Sequence, residues 1–382
     1  MARRLRLGMI GGGQGAFIGA VHRIAARMDD RYELIAGALS SDPQRGRASA
    51  AELHIAEDRV YASVEDMITR EAGRAHPVDV VAIVTPNHLH YAATKALLRA
   101  GIHVICDKPL CHSLEEALDL EHEVAKRQAL FALTHNYTGY PMIRHARAMV
   151  AAGELGDIRV VQVEYAQDWL ATALEASGQK QASWRTDPAR SGAGGCIGDI
   201  GTHAFNLAEF VSREKVQSVA AELTTFVEGR RLDDNTQMML RFEGGARGAL
   251  WSSQVTVGQD NALRLRIYGS KGSLEWAQES PNELRFTRLG EPPQTLRRAG
   301  PHLGPEAAHA TRLPPGHPEG YFEAFAQLYR DFAEQINAVQ EARTPDAASL
   351  LVPGIEAGVR GMRFITASVA SSQNNAAWTA LE

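Results

Sequence analysis

The 382-residue chain is predicted to combine a doubly wound parallel α/β unit, residues 1–138, with an α+β unit on a large, mostly antiparallel sheet, residues 139–382. Two patterns predict this: apolar runs alternate with helical stretches as far as about residue 135, and long strands with tight turns follow. With 45% hydrophobic and 22% charged residues, the chain is globular and long enough for two cores. Forty basic against 45 acidic residues, with no long basic run, exclude a nucleic-acid or membrane-surface footprint. A small molecule is the expected partner. No stretch reaches the length of a membrane span, and Arg3-Arg4 is not followed by an export signal, because the apolar residues behind it form the first strand. Cys106, Cys111 and Cys196 form no CxxC pair or even framework, so a reducing, cytoplasmic compartment is expected.

In the first unit, strands are expected at 5–10, 32–39, 78–84, 103–106 and 129–134, with helices near 16–28, 43–53, 88–100 and 113–127. Ligands of such sheets bind beyond the C-terminal strand ends. The first end, GGGQGAFIGAVHR, fits G-x-G-x-x-A as Gly11, Gly13 and Ala16, with Gly19 as an alternative close-packing glycine. A strand, a glycine turn and a helix start present N–H groups to an anion. A dinucleotide pyrophosphate is therefore expected, held by Gly11, Gly13, Gln14, Ala16, Phe17 and Ile18. At the second end Ser40 and Ser41 occupy the ribose position, and Asp42 before Pro43 reads as a helix cap. Ser40 lacks the carboxylate that would repel a 2′-phosphate, and Arg45 follows one turn on. The cofactor is thus NAD or NADP, with a tilt toward NADP. The third end is double: Thr85-Pro86-Asn87-x-x-His90, and Asp107-Lys108-Pro109, where Pro109 biases Lys108 toward an extended conformation.

In the second unit, a helix near 141–152 precedes strands at 160–165, 216–226, 236–242, 246–257, 263–268 and 273–276, with Gly244-Gly245 as a hairpin turn. Leu263, Leu265 and Ile267 alternate with Arg264, Arg266 and Tyr268, so one sheet face is polar and open. Asp199 and His203, four apart in GGCIGDIGTHAFNLAEF, are expected on one helix face. Adding Cys196 makes no zinc spacing, and no metal is expected. Tyr165, Gln167, Trp169, Trp184 and Arg185 suit the walls of a sugar or polyol pocket. Residues 290–320 hold seven of sixteen prolines and read as a long irregular loop from which His317 reaches the substrate. Helices at about 321–339 and 346–370 are expected to close this second unit.

Taken together, the glycine turn, Thr85-Pro86-Asn87-x-x-His90, Lys108-Pro109 and Gly194-Gly195-x-x-x-Asp199-x-Gly201-x-His203 resemble the Gfo/Idh/MocA family, in order and spacing over nearly the whole chain. Asp107 stands where the family usually has glutamate, and Ser40 where it commonly has an acidic ribose contact. The resemblance implies an NAD(P)-dependent dehydrogenase that interconverts a secondary alcohol and a ketone on a cyclic polyol or sugar. It also implies a homo-oligomer formed through the C-terminal sheet. Under it, His203 is the general base, Lys108 stabilises the developing alkoxide, and Asp199 orients His203 or binds a neighbouring hydroxyl. Two alternatives stay open: a redox-neutral glycosidase or lyase that oxidises its substrate transiently, and a non-catalytic cofactor-binding regulator.

Overall fold

The computed structural model describes residues 3–382, which divide into two compact units. The first takes the chain up to Cys111, Glu115–Gly139 and Tyr321–Val359. Its elements are β1 (Leu5–Gly11), α1 (Phe17–Met28), β2 (Tyr32–Ala38), α2 (Pro43–Glu52), α3 (Val64–Ala72), β3 (Val80–Val84), α4 (His90–Arg99), β4 (His103–Cys106), α5 (Leu114–Ala125) and β5 (Phe131–Leu133). The strands pair in parallel in the order β2-β1-β3-β4-β5. Every residue of β3 is buried, as a central strand covered on both faces requires. Asp42 caps α2 by accepting from the Arg45 N–H at 2.9 Å, with Pro43 in the first turn. One helix, α3, escapes the sequence pattern because only Met67 and Glu71 of its nine residues are buried. That is too few for an apolar stripe, and the Ser63 cap marks its start instead.

The long helix Tyr321–Gln340 belongs to this first unit, which corrects the expectation that it closes the second. Its Phe325, Tyr329, Phe332 and Ile336 enter one core with Leu5, Leu7, Met9 and Val21. An apolar stripe identifies a helix that must dock, but it does not name the surface that receives it.

The second unit comprises His112–Leu114, Tyr140–Gly320 and Arg360–Glu382. It contains α6 (Pro141–Ala151), β6 (Ile158–Ala166), α7 (Lys180–Arg185), α8 (Pro188–Ser191), α9 (Thr202–Ser212), β7 (Val216–Thr224), β8 (Asn235–Phe242), β9 (Arg247–Ser253), β10 (Ala262–Gly269), β11 (Gly272–Ala277), β12 (Glu283–Arg288), β13 (Gln294–Arg297), α10 (Pro305–Ala310) and β14 (Thr379–Ala380). The sheet order is β13-β12-β11-β10-β6-β9-β8-β7-β14, and β6 and β9 are its parallel pair. Gly245, at φ 94°, turns β8 into β9.

Residues 290–320 are not the irregular loop expected from their prolines. They contain β13 and α10, and a buried Arg298–Glu319 ion pair at 2.8 Å ties their ends together. Arg298 also donates to Asn282 Oδ1 at 2.8 Å and to the carbonyls of Leu313 and His317.

Candidate active site

In the first unit the glycine turn is shaped by contact as well as by conformation. A Cβ on Gly19 would lie 2.4 Å from Gly12 Cα, so Gly19 is the residue that lets α1 pack on the turn. Of the two registers the sequence allows, the close-packing role falls to Gly19. Gly11, Gly12 and Gly15 have φ of 78°, 74° and 76°, which favours glycine at each. No side chain caps α1, and its first turn has no acidic residue. The Thr85 hydroxyl, beside the turn at the end of β3, is buried and finds no hydrogen-bond partner among the described residues. An uncapped helix start, a turn cleared of side chains and an orphaned buried hydroxyl fit a dinucleotide's pyrophosphate and sugar.

The flanking groups follow from this frame. Gln14 is held by its N–H to Ser49 Oγ at 3.0 Å and by its side chain to Glu52 at 2.5 Å. Phe17 is 69% exposed, whereas Ile18 packs against the core. Ser40 accepts from the Asp42 N–H at 3.1 Å, Ser41 is exposed, and Arg45 donates to the Gln14 carbonyl at 3.2 Å. Arg45 is therefore tied to the rim of the turn. Asn87 is buried. The His90 ring nitrogens lie 2.8 Å from the Thr85 carbonyl and 2.9 Å from the Pro109 carbonyl, and burial lowers the ring's pKa, so in its neutral form its single N–H donates to one of the two strand ends. The Lys108–Pro109 peptide bond is cis.

Asp107 accepts from the Thr134 hydroxyl at 2.7 Å and from the Lys108 N–H at 3.0 Å, with His22 Nε2 4.0 Å away. Burial pushes its carboxyl up, but His22, the Lys108 charge and the Thr134 hydroxyl outweigh that and bring it to about 2. Asp107 is an anion beside Lys108. His135 is neutral: burial, then the Lys108 charge, lower it to about 3. The sequence reading missed His22, whose Nδ1 meets the Tyr329 hydroxyl at 2.7 Å.

In the second unit Asp199 lies in a π-helical turn, Ile197–Gly201, that runs into α9. The pair is thus not on a regular α-helix, and the wider turn changes where Asp199 points relative to His203. Asp199 Oδ2 accepts from Arg185 Nε at 3.2 Å and Gln254 Nε2 at 2.8 Å. His203 is 7% exposed, with its ring 6.3 Å from that of Tyr165. The Tyr165 hydroxyl and the Gln167 amide both donate to Asn261 Oδ1 at 2.7 Å. Arg185 stacks on Trp184 at 4.3 Å and stands 5.9 Å from Trp169. The structure thereby joins Tyr165, Gln167 and His203 on one side, and Asp199, Arg185, Trp184 and Trp169 on the other. The sequence missed Gln254 and Asn261, although both follow or precede strands of the same sheet.

His317 stands apart from these groups in the interactions it makes: its side chain is exposed, and its carbonyl takes a hydrogen bond from Arg298. Cys196 is buried, and burial followed by the charge of Asp233 pushes its thiol well above its ordinary value. It is no thiolate nucleophile.

Comparison with known proteins agrees with both units. Residues 5–135 match the model of the oxidoreductase family with an NAD-binding Rossmann fold, and residues 143–275 match the GFO/IDH/MocA C-terminal domain. An oxidoreductase from Sinorhizobium meliloti is 49% identical, with a TM-score of 0.90 over 99% of each chain. An inositol dehydrogenase homolog from Azotobacter vinelandii, solved with NADH and myo-inositol, is 37% identical, with a TM-score of 0.92 over 100% of this chain and 98% of its own. Levoglucosan dehydrogenase from Pseudarthrobacter phenanthrenivorans is 28% identical over 74% of this chain and 76% of its own.

Proposed function

The chain belongs to the Gfo/Idh/MocA family of NAD-binding oxidoreductases, and from that premise we propose that it interconverts a secondary alcohol and a ketone on a cyclic polyol or sugar. The observation that carries this reading is the second unit's cluster. There an acid held by Arg185 and Gln254, a nearly buried histidine, and the Tyr165–Asn261–Gln167 group offer hydroxyl-binding and proton-accepting atoms together. When bound, the nicotinamide supplies the hydride acceptor or donor. His203 takes the alcohol proton at a ring nitrogen. The Lys108 ammonium, whose neighbour Asp107 is anionic, donates to the alkoxide oxygen, and Asp199 binds an adjacent hydroxyl or orients His203. Trp169 and Trp184 supply apolar faces for the ring.

The relatives with polyol and anhydrosugar substrates support that substrate class. Arg45 on the rim of the turn, with Ser40 in place of a carboxylate, supports acceptance of NADP beside NAD. Exposed Met239 and Tyr268 support pairing of the second unit's sheet with a copy of itself. Three buried free cysteines are in keeping with the cytoplasm.

One set of measurements tests the reading. Fluorescence titration of the purified protein should show NADH and NADPH binding, and sedimentation velocity should give a species above 41.5 kDa. With NAD+ and a panel of inositols and anhydrosugars, His203→Ala and Lys108→Met should each lower kcat by roughly 10²–10⁴-fold. Turnover by His203→Ala at the wild-type rate would overturn the assignment.

A further inference from the structure

We infer that Asp233 is a positioning residue: its carboxylate, reaching across from the β7–β8 connection, fixes the π-helical turn that carries Asp199 and leads into His203. The inference rests on the proposed catalytic reading of that pair. Asp233 Oδ1 accepts from the Gly195 N–H at 2.6 Å, and Oδ2 accepts from the Ile197 N–H at 2.8 Å. Its main-chain carbonyl accepts from the intervening Cys196 N–H at 2.8 Å. Three consecutive amides therefore end on one residue. The π-helical turn has no capping side chain of its own, so these otherwise orphaned donors are satisfied from 36 to 38 positions away.

The approach is close enough to dictate the partner residue. A Cβ on Gly195 would stand 2.3 Å from the Asp233 carbonyl oxygen, and glycine is what admits the contact. Asp234, next in the chain, completes the grip. Its carbonyl accepts from the Gln254 N–H at 2.8 Å, and Gln254 in turn donates its side-chain amide to Asp199. The Asp234 carboxylate accepts from the Phe226 and Val227 N–H groups at 2.9 and 3.0 Å and from buried Arg230 at 3.1 Å, which holds the connection itself in place. Backbone and acid of the turn are thus both set from this one Asp-Asp pair.

Removing one acceptor should release the turn without unfolding the unit. Burial pushes the Asp233 carboxyl up to about 6 against the pull of its two N–H bonds, so a neutral amide is tolerated at this place. In Asp233→Asn the amide nitrogen faces one of the two backbone donors, and that end of the turn comes loose. A shift of the pair by a fraction of an ångström would slow the chemical step without touching cofactor binding in the first unit.

The test compares the wild-type, Asp233→Asn, Asp233→Ala and His203→Ala proteins. Hydrogen exchange read by mass spectrometry should show peptides covering 194–203 opening about tenfold faster in Asp233→Asn, with β1–α1 peptides unchanged. NADH affinity should stay within about twofold, while kcat per NADH-binding site on the best polyol of the panel falls about 10–100-fold, and the primary deuterium isotope effect rises. A structural role alone would lower the amount of folded protein and leave the isotope effect unmoved. Unchanged exchange at 194–203 in Asp233→Asn, or a kcat and isotope effect like wild type beside an inactive His203→Ala, overturns the inference. An active His203→Ala beside a loosened turn overturns the catalytic reading and leaves the anchor standing. If Asp233→Ala does not fold, Asp233→Asn carries the result.

Discussion

Gly15, in the turn, and Gly19, in the first turn of α1, sit four residues apart and answer to different physics. Nothing lies within 4 Å of a Cβ built on Gly15, so Gly15→Ala meets only the strain of its positive φ, about 1 kcal/mol. A Cβ on Gly19 meets backbone at 2.4 Å, and the turn must move. Gly19→Ala is therefore expected to abolish NADH binding in a fluorescence titration, whereas Gly15→Ala keeps the fold and is expected to melt only slightly lower. Equal NADH affinity in the two variants would contradict this. At this scale the sequence marked residues whose chemistry is unusual in itself, such as Lys108 before proline and Asp42 before Pro43. It could not mark Asn261, Gln254 or Asp233, because an ordinary amide or carboxylate becomes part of a site only through the residue it meets, 55 positions away between Gln254 and Asp199.

Elements built on regular periodicity were legible, and those held by one buried interaction were not. The alternation in β10 and the glycine-marked start of α1 announce themselves, while β13 and α10 lie in proline-rich sequence whose ends are tied by Arg298 and Glu319. Glu319 Oε1 accepts from Arg298 and from the Arg312 and Leu313 N–H groups at 2.7–2.8 Å. Glu319→Gln would leave the buried guanidinium uncompensated, at a cost of about 3–5 kcal/mol. The expected outcome is a lower melting temperature and new protease cleavage between residues 299 and 318. A wild-type cleavage pattern would show that the segment does not depend on the pair.

Buried groups in the two units should answer acid in opposite ways, with His145 of the second unit, lowered by burial, working against Asp233 there. In the first, His135 has a folded value of about 3, so below about 6.5 the unfolded chain binds a proton that the folded one refuses, and stability falls across that range. Asp107, at about 2, adds a further loss as pH drops from roughly 4 toward 2. In the second, Asp233 is raised to about 6, so the folded chain binds its proton first, and acidification from 6 toward roughly 4 adds stability. Hydrogen exchange at pH 7 and pH 4.5 should show protection lost from β1–β5 before it is lost from β6–β11. Parallel loss in both sheets would count against these assignments.

By itself the sequence determined the two kinds of sheet, their order along the chain, the glycine turn and the residues proposed for proton transfer. Each of these depends on local periodicity, on glycine, or on the intrinsic reactivity of a side chain. Only the tertiary structure decided that Tyr321–Gln340 packs with the first sheet, that Gly19 is the close-packing glycine, and that Asp199 answers to Arg185 and Gln254. Those outcomes are choices among partners far apart in the chain, and burial with hydrogen-bond satisfaction makes the choice only once the surfaces meet.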